Sequence, residues 1–317
     1  MWRYVVQRIL EAIPLLFLVT LVTYFLMNLT PGGPLSLYMH NPKVAPQTLH
    51  VLALQMGLTK PWYVRYFLWL WSLLHGNWGY SYFSGQPVLA LIGQRLPNTL
   101  ILMGSSFMIS LGIGIPLGIY VATHQYSLQD HVFSFASFFA WAMPSFFFGL
   151  LLQTVFAVKL GWLPVSGMYS VYQPPSLGQL LQHLILPAFV LGLGSLAGWS
   201  RYMRSGILEV IRQDYIRTAR AKGLSERKVI WKHALKNALL PIVTIIGLDL
   251  PGFFGGAVIT EQIFAWPGMG RLFLSSLNER DYPVQMAGLL IGAILLVVGN
   301  LLADLTYSLL DPRIQYR

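Results

Sequence analysis

Residues 98–122 read NTLILMGSSFMISLGIGIPLGIYVA, a run of 25 residues without a charged side chain. A helix needs about 20 such residues to cross the hydrocarbon core of a bilayer. The whole chain has 55% hydrophobic and 10% charged residues and a mean hydropathy of +0.59, whereas an average soluble domain has roughly 25% charged residues. The composition therefore excludes a soluble enzyme and indicates an all-α integral membrane protein.

Five further apolar runs of spanning length accompany this one. The six predicted transmembrane helices are residues 9–30, 98–122, 132–157, 184–203, 239–260 and 284–307. The basic start of the chain resembles a signal peptide, but the first apolar run continues to Leu29 without a small-residue cleavage site. We therefore interpret it as a retained first helix. An even number of spans places both termini on one side of the membrane.

Basic residues are concentrated in one segment. The formal net charge of +10 would suit a nucleic-acid-binding protein, but ten of the 21 Lys and Arg residues lie between Arg201 and Lys236, bounded by apolar runs. We therefore expect no nucleic-acid partner. Placing this segment and both termini in the cytoplasm leaves seven basic residues outside, as the positive-inside rule favours. The predicted inner loop at 124–131 does not fit, because it contains no Lys or Arg.

In this orientation residues 31–95 form a long external segment. Thr59-Lys60-Pro61 predicts the start of a helix, because proline is tolerated in a first turn. Behind it, aromatic and leucine side chains fall at helical spacing, at Trp62, Tyr66, Trp69 and Leu73. This stripe is typical of a helix lying in the membrane interface. A surface that receives a partner protein is the alternative.

Glycine and proline recur inside the predicted spans. Small residues let membrane helices approach closely, so the glycines predict tight packing, with flexing hinges as the alternative. They are Gly112, Gly114, Gly118, Gly192, Gly194, Gly198, Gly252, Gly255 and Gly256. The prolines predict kinks, at Pro116, Pro144, Pro187, Pro241 and Pro251.

Residues 214–241, DYIRTARAKGLSERKVIWKHALKNALLP, predict two amphipathic helices that meet at a glycine. Apolar residues recur every four positions upstream, which indicates a helix that continues out of the fourth span, at Ile207, Ile211, Tyr215 and Ala219. Gly223 can end that helix in a left-handed conformation, and Ser225 can cap the next. The second helix has an apolar face at Ile230, Ala234 and Leu235 and a basic one at Lys228, Lys232 and Lys236. Considered alone, the segment could also be a basic loop held by anionic lipid at about 1 kcal/mol per basic residue.

This segment resembles the signature loop of binding-protein-dependent ABC importer permeases. The general pattern's glutamate and proline are replaced by Arg217 and Lys236, which agrees with the peptide and nickel branch of that family and its similar DYIRTARAKG and HALKN. Further motifs of the branch occur in the same order along the chain. They are PGGP at 31–34, GLTKP at 57–61, RLPNTL at 95–100, TEQIFAWPGMGR at 260–271, RDYP at 280–283 and DPRI at 311–314.

The resemblance implies the transmembrane fold of type I ABC importers, with six helices and cytoplasmic termini. It implies a first helix and external segment at 1–95, a permease domain at 96–310 with a cytoplasmic coupling loop at 204–238, and a tail at 311–317. The loop would form the helix that docks on an ATPase subunit. The positions matching the loop pattern are Arg217, Thr218, Ala219, Gly223, His233 and Leu235.

The same resemblance implies the partners, the location and the cargo. The partners would be a second homologous permease, two ATPase subunits, an external binding protein and the lipid bilayer of a prokaryotic cytoplasmic membrane. The chain has no G-x-x-x-x-G-K phosphate loop, so we expect ATP and Mg²⁺ to be bound by the partner subunits, with no cofactor and no enzymatic site in this chain. Di- or oligopeptides are the expected cargo, with nickel complexes or glutathione as alternatives.

Two other classes compete with a permease. An ion-coupled transporter would use inverted repeats and ionisable groups at the midplane, but there is no repeat and only Asp249 is clearly deep. That carboxylate either lines the pathway or packs between helices. An intramembrane enzyme would need a metal or nucleophile cluster, whereas the seven histidines are scattered and cysteine is absent. His233 is interpreted as a structural contact of the loop.

Overall fold

The structure, a computed structural model, describes residues 2–31, 33–35, 39, 45–239, 242, 245–246 and 257–310. The regular elements in these ranges are helices. The long ones are α1 (Trp2–Leu29), α4 (Val88–Thr123), α7 (Leu177–Val210) and α12 (Tyr282–Leu310). The shorter ones are α2 (Pro46–Gln55), α3 (Trp62–Leu74), α5 (Leu128–Ala142), α6 (Ser145–Leu152, continued by a π-helical segment Gln153–Lys159), α8 (Asp214–Ala221), α9 (Glu226–Lys228, π-helical Val229–Ala234 and Leu235–Ala238), α10 (Val258–Ile263) and α11 (Met269–Asn278).

Four helices of the described residues are long and apolar enough to cross a membrane, and there are five if α5 and α6 form one broken span. They correspond to the predicted spans 1, 2, 4 and 6, with the broken pair at span 3. The predicted fifth span, 239–260, lies mostly outside the described residues.

The helices extend beyond the apolar runs that predict them. The helix α4 begins at Val88, ten residues before the predicted start, and includes Arg95 and Pro97. The helix α7 likewise runs from Leu177 to Val210, where the prediction was 184–203. Hydropathy marks only the part of a helix that is apolar enough for the bilayer core, so the polar ends of these helices were missed.

The third predicted span is broken rather than kinked. The axes of α5 and α6 differ by 105°, and the break falls at Met143-Pro144. Met143 has ψ of 125°, in the extended region. A proline disfavours the helical conformation at the residue before it, and at this point the chain adopts the extended alternative and α5 ends. The single span predicted for 132–157 is therefore corrected to two helices.

The helices α4 and α7 pack side by side in the same direction through glycine. A β-carbon added at three of these glycines would lie 2.4–3.0 Å from the nearest atom of the facing helix, at or below the closest approach of real β-carbons. The contacts run in register, with Gly192 on Ser106, Gly114 on Leu196 and Gly118 on Met203. The predicted close packing is confirmed for these three glycines. Gly112, Gly194 and Gly198 have no atom within 4 Å of an added β-carbon.

Long-range hydrogen bonds define two ends of the bundle. Tyr4 Oη donates to Asp304 Oδ2 at 2.5 Å, so the start of α1 meets the last turns of α12. At the other end of the same two helices, Tyr282 Oη donates to the carbonyl oxygen of Met27 at 2.9 Å. The starts of α4 and α12 also pack together, through Val88 and Val284, so α4 and the parallel α7 end on the same side as α12. We call this side, which carries the helical hairpin of residues 214–238, the hairpin end, and the side with Met27 and Tyr282 the far end.

The helix α3 begins directly after Pro61, as predicted. Its aromatic stripe packs against α1, because Tyr66 is fully buried with its ring edge-on to Tyr24 at a centroid distance of 5.5 Å. The hydroxyl groups of Tyr66 and Thr20 lie 3.0 Å apart. The stripe thus serves helix packing, and the position of α3 in the membrane interface stays a prediction.

Candidate functional site

Residues 214–238 fold into a compact helical hairpin at one end of the bundle. The helix α8 ends in a turn at Gly223, whose φ is +74°, and α9 returns toward α7. The left-handed conformation predicted for Gly223 is confirmed, and it is one that residues with a side chain rarely adopt. Ser225 occupies the N-cap position of α9, but its side chain makes no capping hydrogen bond, so that predicted interaction is absent.

The upstream helix continues past the predicted end of the fourth span at 203, but it breaks before Asp214. The helix α7 ends at Val210 and α8 begins at Asp214. The intervening turn shifts the register, so that Ile216 is fully buried while Tyr215 is 41% exposed. The predicted four-residue stripe is therefore wrong at Tyr215. The Tyr215 hydroxyl instead accepts a hydrogen bond from Asn237 Nδ2 at 2.8 Å, which joins the two arms of the hairpin.

The hairpin and the end of α7 share one hydrophobic core. Its fully or nearly buried members from α7, α8 and α9 include Met203, Ile207, Ile216, Ala219, Val229, Ala234 and Ala238. Ile119 and Ala122 of α4 belong to the same core. At Gly206 of α7 a β-carbon would lie 3.0 Å from the carbonyl oxygen of Ala238, so the two backbones are in contact. Because interiors packed this closely transmit strain rather than absorb it, the hairpin and α7 are expected to move together.

The outer surface of the hairpin is polar and basic. Lys228, Lys232 and Lys236 are exposed on α9, as predicted. Arg217 is exposed on α8 and lies 3.6 Å from the carboxylate of Asp214. Across the turn, the guanidinium of Arg220 forms two hydrogen bonds with the carboxylate of Glu226, at 2.6 and 3.3 Å. The exposed basic residues therefore lie on two helical arms that are joined by the ion pair of Arg220 and Glu226.

The structure brings the predicted coupling positions together in this hairpin but gives them different environments. Arg217 and Thr218 are exposed, and Thr218 Oγ1 donates to the carbonyl oxygen of Asp214 at 2.9 Å. Ala219 is buried in the shared core. His233 and Leu235 are half-buried on α9. Asp249 lies outside the described residues.

Sequence reasoning missed an ion pair between α5 and α7. Arg204 Nη2 lies 2.9 Å from Asp130 Oδ2, and Asp130 is 4% exposed. Asp130 Oδ2 also accepts from the backbone N–H of Tyr126 at 3.0 Å. No local pattern in the sequence signals this pair, because its two residues are 74 positions apart in the chain.

At the far end, the motif at 260–271 forms a buried hydrogen-bond network with the start of α4. Thr99 Oγ1 donates to Glu261 Oε1 at 2.7 Å and accepts from the backbone N–H of Met269, also at 2.7 Å. The indole N–H of Trp266 donates to the carbonyl oxygen of Asn98 at 2.9 Å. This network fixes α10 and α11 to α4.

A second far-end network surrounds Asp281. Its carboxylate accepts from the hydroxyl of Ser81 and from the backbone N–H of Tyr82, the latter at 3.0 Å. Burial, with the neighbouring Tyr24 hydroxyl, raises the pKa of Tyr82 to about 12, so this hydroxyl stays protonated at physiological pH. Among the described residues there is no group of three potential metal ligands. The contacts of Asp281 therefore tie the start of α12 to the segment before α4.

Comparisons with known proteins agree along the whole chain. The family model for the binding-protein-dependent transport system inner membrane component matches residues 114–316, and the model for the N-terminal part of such membrane components matches residues 1–103. The chain is 47% identical to the oligopeptide transport system permease protein AppB of Bacillus subtilis (strain 168), over 100% of both chains. It is 36% identical to the dipeptide transport system permease protein DppB of Escherichia coli (strain K12), again over 100% of both.

A solved structure has a similar fold. A chain of an inward-facing MetNI methionine ABC transporter matches with a TM-score of 0.57 at 16% identity, over 71% of this chain and 98% of that one. At this identity the likeness concerns the fold alone.

Proposed function

The chain belongs to the family of binding-protein-dependent transport system inner membrane components, and from that premise we propose that it is the permease subunit of an ABC importer of di- and oligopeptides. The peptide cargo is supported by the names of full-length relatives at 36–47% identity. Transport would be inward and driven by ATP hydrolysis on separate subunits.

One observation carries the proposal, namely the way the hairpin is built into the bundle. Its core residues Ile216 and Ala219 belong to the same cluster as Met203 and Ile207 of α7. The helix α7 in turn meets α4 at Gly118, where Ser200 and Met203 leave no room for a β-carbon. A displacement of the hairpin by a partner protein would therefore reach two membrane-spanning helices. A partner can shift the permease between conformations only by its differential affinity for them, and this connection supplies a structural basis for that difference.

Within this proposal the hairpin residues have distinct tasks. Arg217 and Thr218 face the ATPase subunit, with the exposed lysines of α9 beside them. Ala219 and Leu235 hold the hairpin to its core, Gly223 makes the turn, and His233 is a structural contact on α9. The chain itself would have no ATPase activity, because ATP and Mg²⁺ would be bound by the partner subunits.

We further propose six spans, with both termini and the hairpin in the cytoplasm of a prokaryote. The hydrogen bond between Tyr4 and Asp304 supports termini on one side. Ala238 contacts Gly206 near the hairpin end, whereas Glu261 contacts Thr99 at the far end. Ala238 and Glu261 thus lie toward opposite ends of the bundle, which supports a sixth crossing. The division into 1–95, 96–310 and 311–317 stays a prediction.

The complete importer would contain a second homologous permease, two ATPase subunits and an external binding protein that delivers the cargo. The test is uptake into proteoliposomes that contain the full complex, with ATP inside and the loaded binding protein outside. We expect accumulation of a radiolabelled tripeptide that disappears when this chain is omitted or ATP is replaced by ADP. Accumulation of glutathione or ⁶³Ni²⁺ with no peptide uptake would reassign the cargo, and ATP-independent uptake would reject an importer of this class.

A further inference from the structure

A cavity of about 270 Å³ lies on the face of α7 that points away from α4. Its lining includes Gly194, Ser195 and Gly198, where added β-carbons at the two glycines meet nothing within 4 Å, and Ile245. One water needs only about 15 Å³ of such space. The cavity is therefore roomy enough for water and for a small polar group.

One positive charge faces this cavity. Arg201 lies nine residues before the end of α7, which is about 14 Å along the helix axis at a rise of about 1.5 Å per residue. Its side chain lies close to the hairpin-side end of the predicted apolar run 184–203 and lines the cavity. In the part of the chain that the structure describes, no carboxylate lies within ion-pair distance of Arg201.

The guanidinium of Arg201 is positioned by groups that leave its terminal amino groups available. Its central carbon lies 5.1 Å from the ring centroid of Trp141 and 5.8 Å from that of Phe138, and its Nε donates to the carbonyl oxygen of Ala197 at 3.3 Å. Cation–π contact holds a guanidinium without neutralising it. Among the described residues, neither terminal amino group has a hydrogen-bond acceptor.

Two more donors border the same space. Trp199 lines the cavity and is 3% exposed, and its indole N–H is buried without a hydrogen-bond partner. Tyr202, which is 53% exposed, adds a phenolic hydroxyl. The guanidinium of Arg201 and the phenolic hydroxyl of Tyr202 therefore favour an acceptor of hydrogen bonds, and specifically an anion, in this cavity.

We propose that Arg201 and the cavity beside Ser195 and Tyr202 form a binding site for the carboxylate of the transported peptide. A guanidinium presents two parallel N–H groups that match the two oxygens of a carboxylate, and every unmodified peptide has a carboxylate at its C-terminus. The inference rests on the proposed function for the identity of the solute. The anion preference of the cavity stands on the structure alone.

The charge of the cavity can be measured independently of transport. In the complete complex, Ser195→Cys places a single thiol in this otherwise cysteine-free chain. Two methanethiosulfonate reagents of matched size, one bearing a sulfonate and one a trimethylammonium, report the local potential through their relative reaction rates. We expect the sulfonate to react about tenfold faster relative to its cationic counterpart, as one charge-assisted hydrogen bond would produce. The ratio should fall toward one with Arg201→Gln and stay unchanged with Arg212→Gln, which removes an exposed arginine at the hairpin end.

The identity of the ligand is tested in the same complex by measuring whether a peptide protects the thiol of Ser195→Cys from labelling. A saturating tripeptide with a free C-terminus should slow labelling of Ser195→Cys at least threefold, and the C-terminal amide of that peptide should not. Equal protection by both peptides, protection only by phosphatidylglycerol vesicles, or a reagent ratio unaffected by Arg201→Gln would overturn the site. A sulfonate preference that appears only after Asp249→Asn would also overturn it, because Arg201 would then be neutralised within the chain. If the sulfonate preference persists in a complex that transports no peptide, the cavity binds anions but the peptide cargo is wrong.

Discussion

Arg220 and Glu226 join α8 to α9 across the left-handed turn at Gly223, with Arg220 Nε 2.6 Å from Glu226 Oε1 and Arg220 Nη2 3.3 Å from Glu226 Oε2. The two side chains are 40% and 60% exposed. Because exposed pairs contribute only about 0–1 kcal/mol, this pair sets the angle between the arms more than it stabilises the fold.

Reversing one charge of this pair should weaken coupling without preventing assembly. We expect Arg220→Glu to lower peptide uptake by the reconstituted complex about two- to fivefold, as the loss of up to about 1 kcal/mol allows. The double variant Arg220→Glu/Glu226→Arg should recover most of the uptake. Arg227→Glu, an equal charge change at an exposed arginine of α9, is the matched control. If Arg227→Glu lowers uptake as much as Arg220→Glu, net charge and not the pair is responsible.

Gly223 tests the backbone of the turn separately from its side chains. A β-carbon at this position would meet no atom within 4 Å, but φ is +74°. Gly223→Val should therefore act through backbone strain of about 1–2 kcal/mol and lower both uptake and transport-coupled ATP hydrolysis, while membrane insertion stays normal. Gly223→Asn should retain most activity, because asparagine tolerates this conformation. Equal activity of the Val and Asn variants would contradict a role for the turn geometry.

Local patterns in the sequence predicted some parts of the hairpin and not others. Gly223 and the basic face of α9 were identified because a turn glycine and a period of four are local signals. The burial of Ile216 was missed, because the break at 211–213 contains neither glycine nor proline to reveal the shift in register. The pairing of Asp130 with Arg204 joins residues that are 74 positions apart in the chain, and no local pattern encodes such a contact.

The membrane-spanning helices were likewise predictable in part from local patterns. Runs of apolar residues predicted where helices cross the bilayer, because the bilayer core imposes a length on them. They did not predict that Arg95 lies inside α4, since a helix can continue into water. Pro144 was predicted to kink a span, but whether a proline kinks or ends a helix depends on the packing around it. Here it ends α5 and the chain turns by 105°.

The orientation of the bundle can be tested with single cysteines. Ser225 in the turn of the hairpin and Ser84 at the far end are both exposed, and the chain has no native cysteine. A membrane-impermeant maleimide added to intact cells should label Ser84→Cys, and should label Ser225→Cys only after the cells are opened. Labelling of Ser225→Cys from outside would overturn the proposed cytoplasmic position of the hairpin.

The contact between α4 and α7 predicts opposite effects at two glycines of one helix. At Gly118 an added β-carbon would lie 2.7 Å from Cβ of Met203, so Gly118→Ala should destabilise the purified protein by about 1–3 kcal/mol through overpacking. At Gly112 there is no atom within 4 Å, so Gly112→Ala should be neutral or stabilising by up to about 1 kcal/mol, since alanine favours a helix more than glycine does. The measurement is the thermal unfolding midpoint in detergent. A midpoint for Gly118→Ala at or above that of Gly112→Ala would show that the helices do not pack in this way.

Glu261 is fully buried. Each of its two carboxylate oxygens accepts a hydrogen bond from a group that cannot act as an acceptor in its place. Oε2 accepts from the backbone N–H of Arg271 at 2.9 Å, and a backbone N–H cannot become an acceptor. Oε1 accepts from the hydroxyl of Thr99. That hydroxyl already accepts from the backbone N–H of Met269, so its single hydrogen is directed toward Glu261.

Glu261→Gln should therefore destabilise the far end of the bundle, although the two side chains have nearly the same shape. The new amide nitrogen must face either the N–H of Arg271 or the hydroxyl hydrogen of Thr99, and the loss of a buried hydrogen bond costs about 1–3 kcal/mol. We expect a lower thermal unfolding midpoint in detergent for the purified protein. Glu279→Gln is the control, because burial and the Asp281 carboxylate raise the pKa of Glu279. Because folding raises this pKa, ionised Glu279 lowers the stability of the folded state. Glu279→Gln should therefore leave the unfolding midpoint unchanged or raise it slightly at neutral pH. Equal midpoints for Glu261→Gln and the unsubstituted protein would mean that the carboxylate of Glu261 does not hold α10 and α11 against α4.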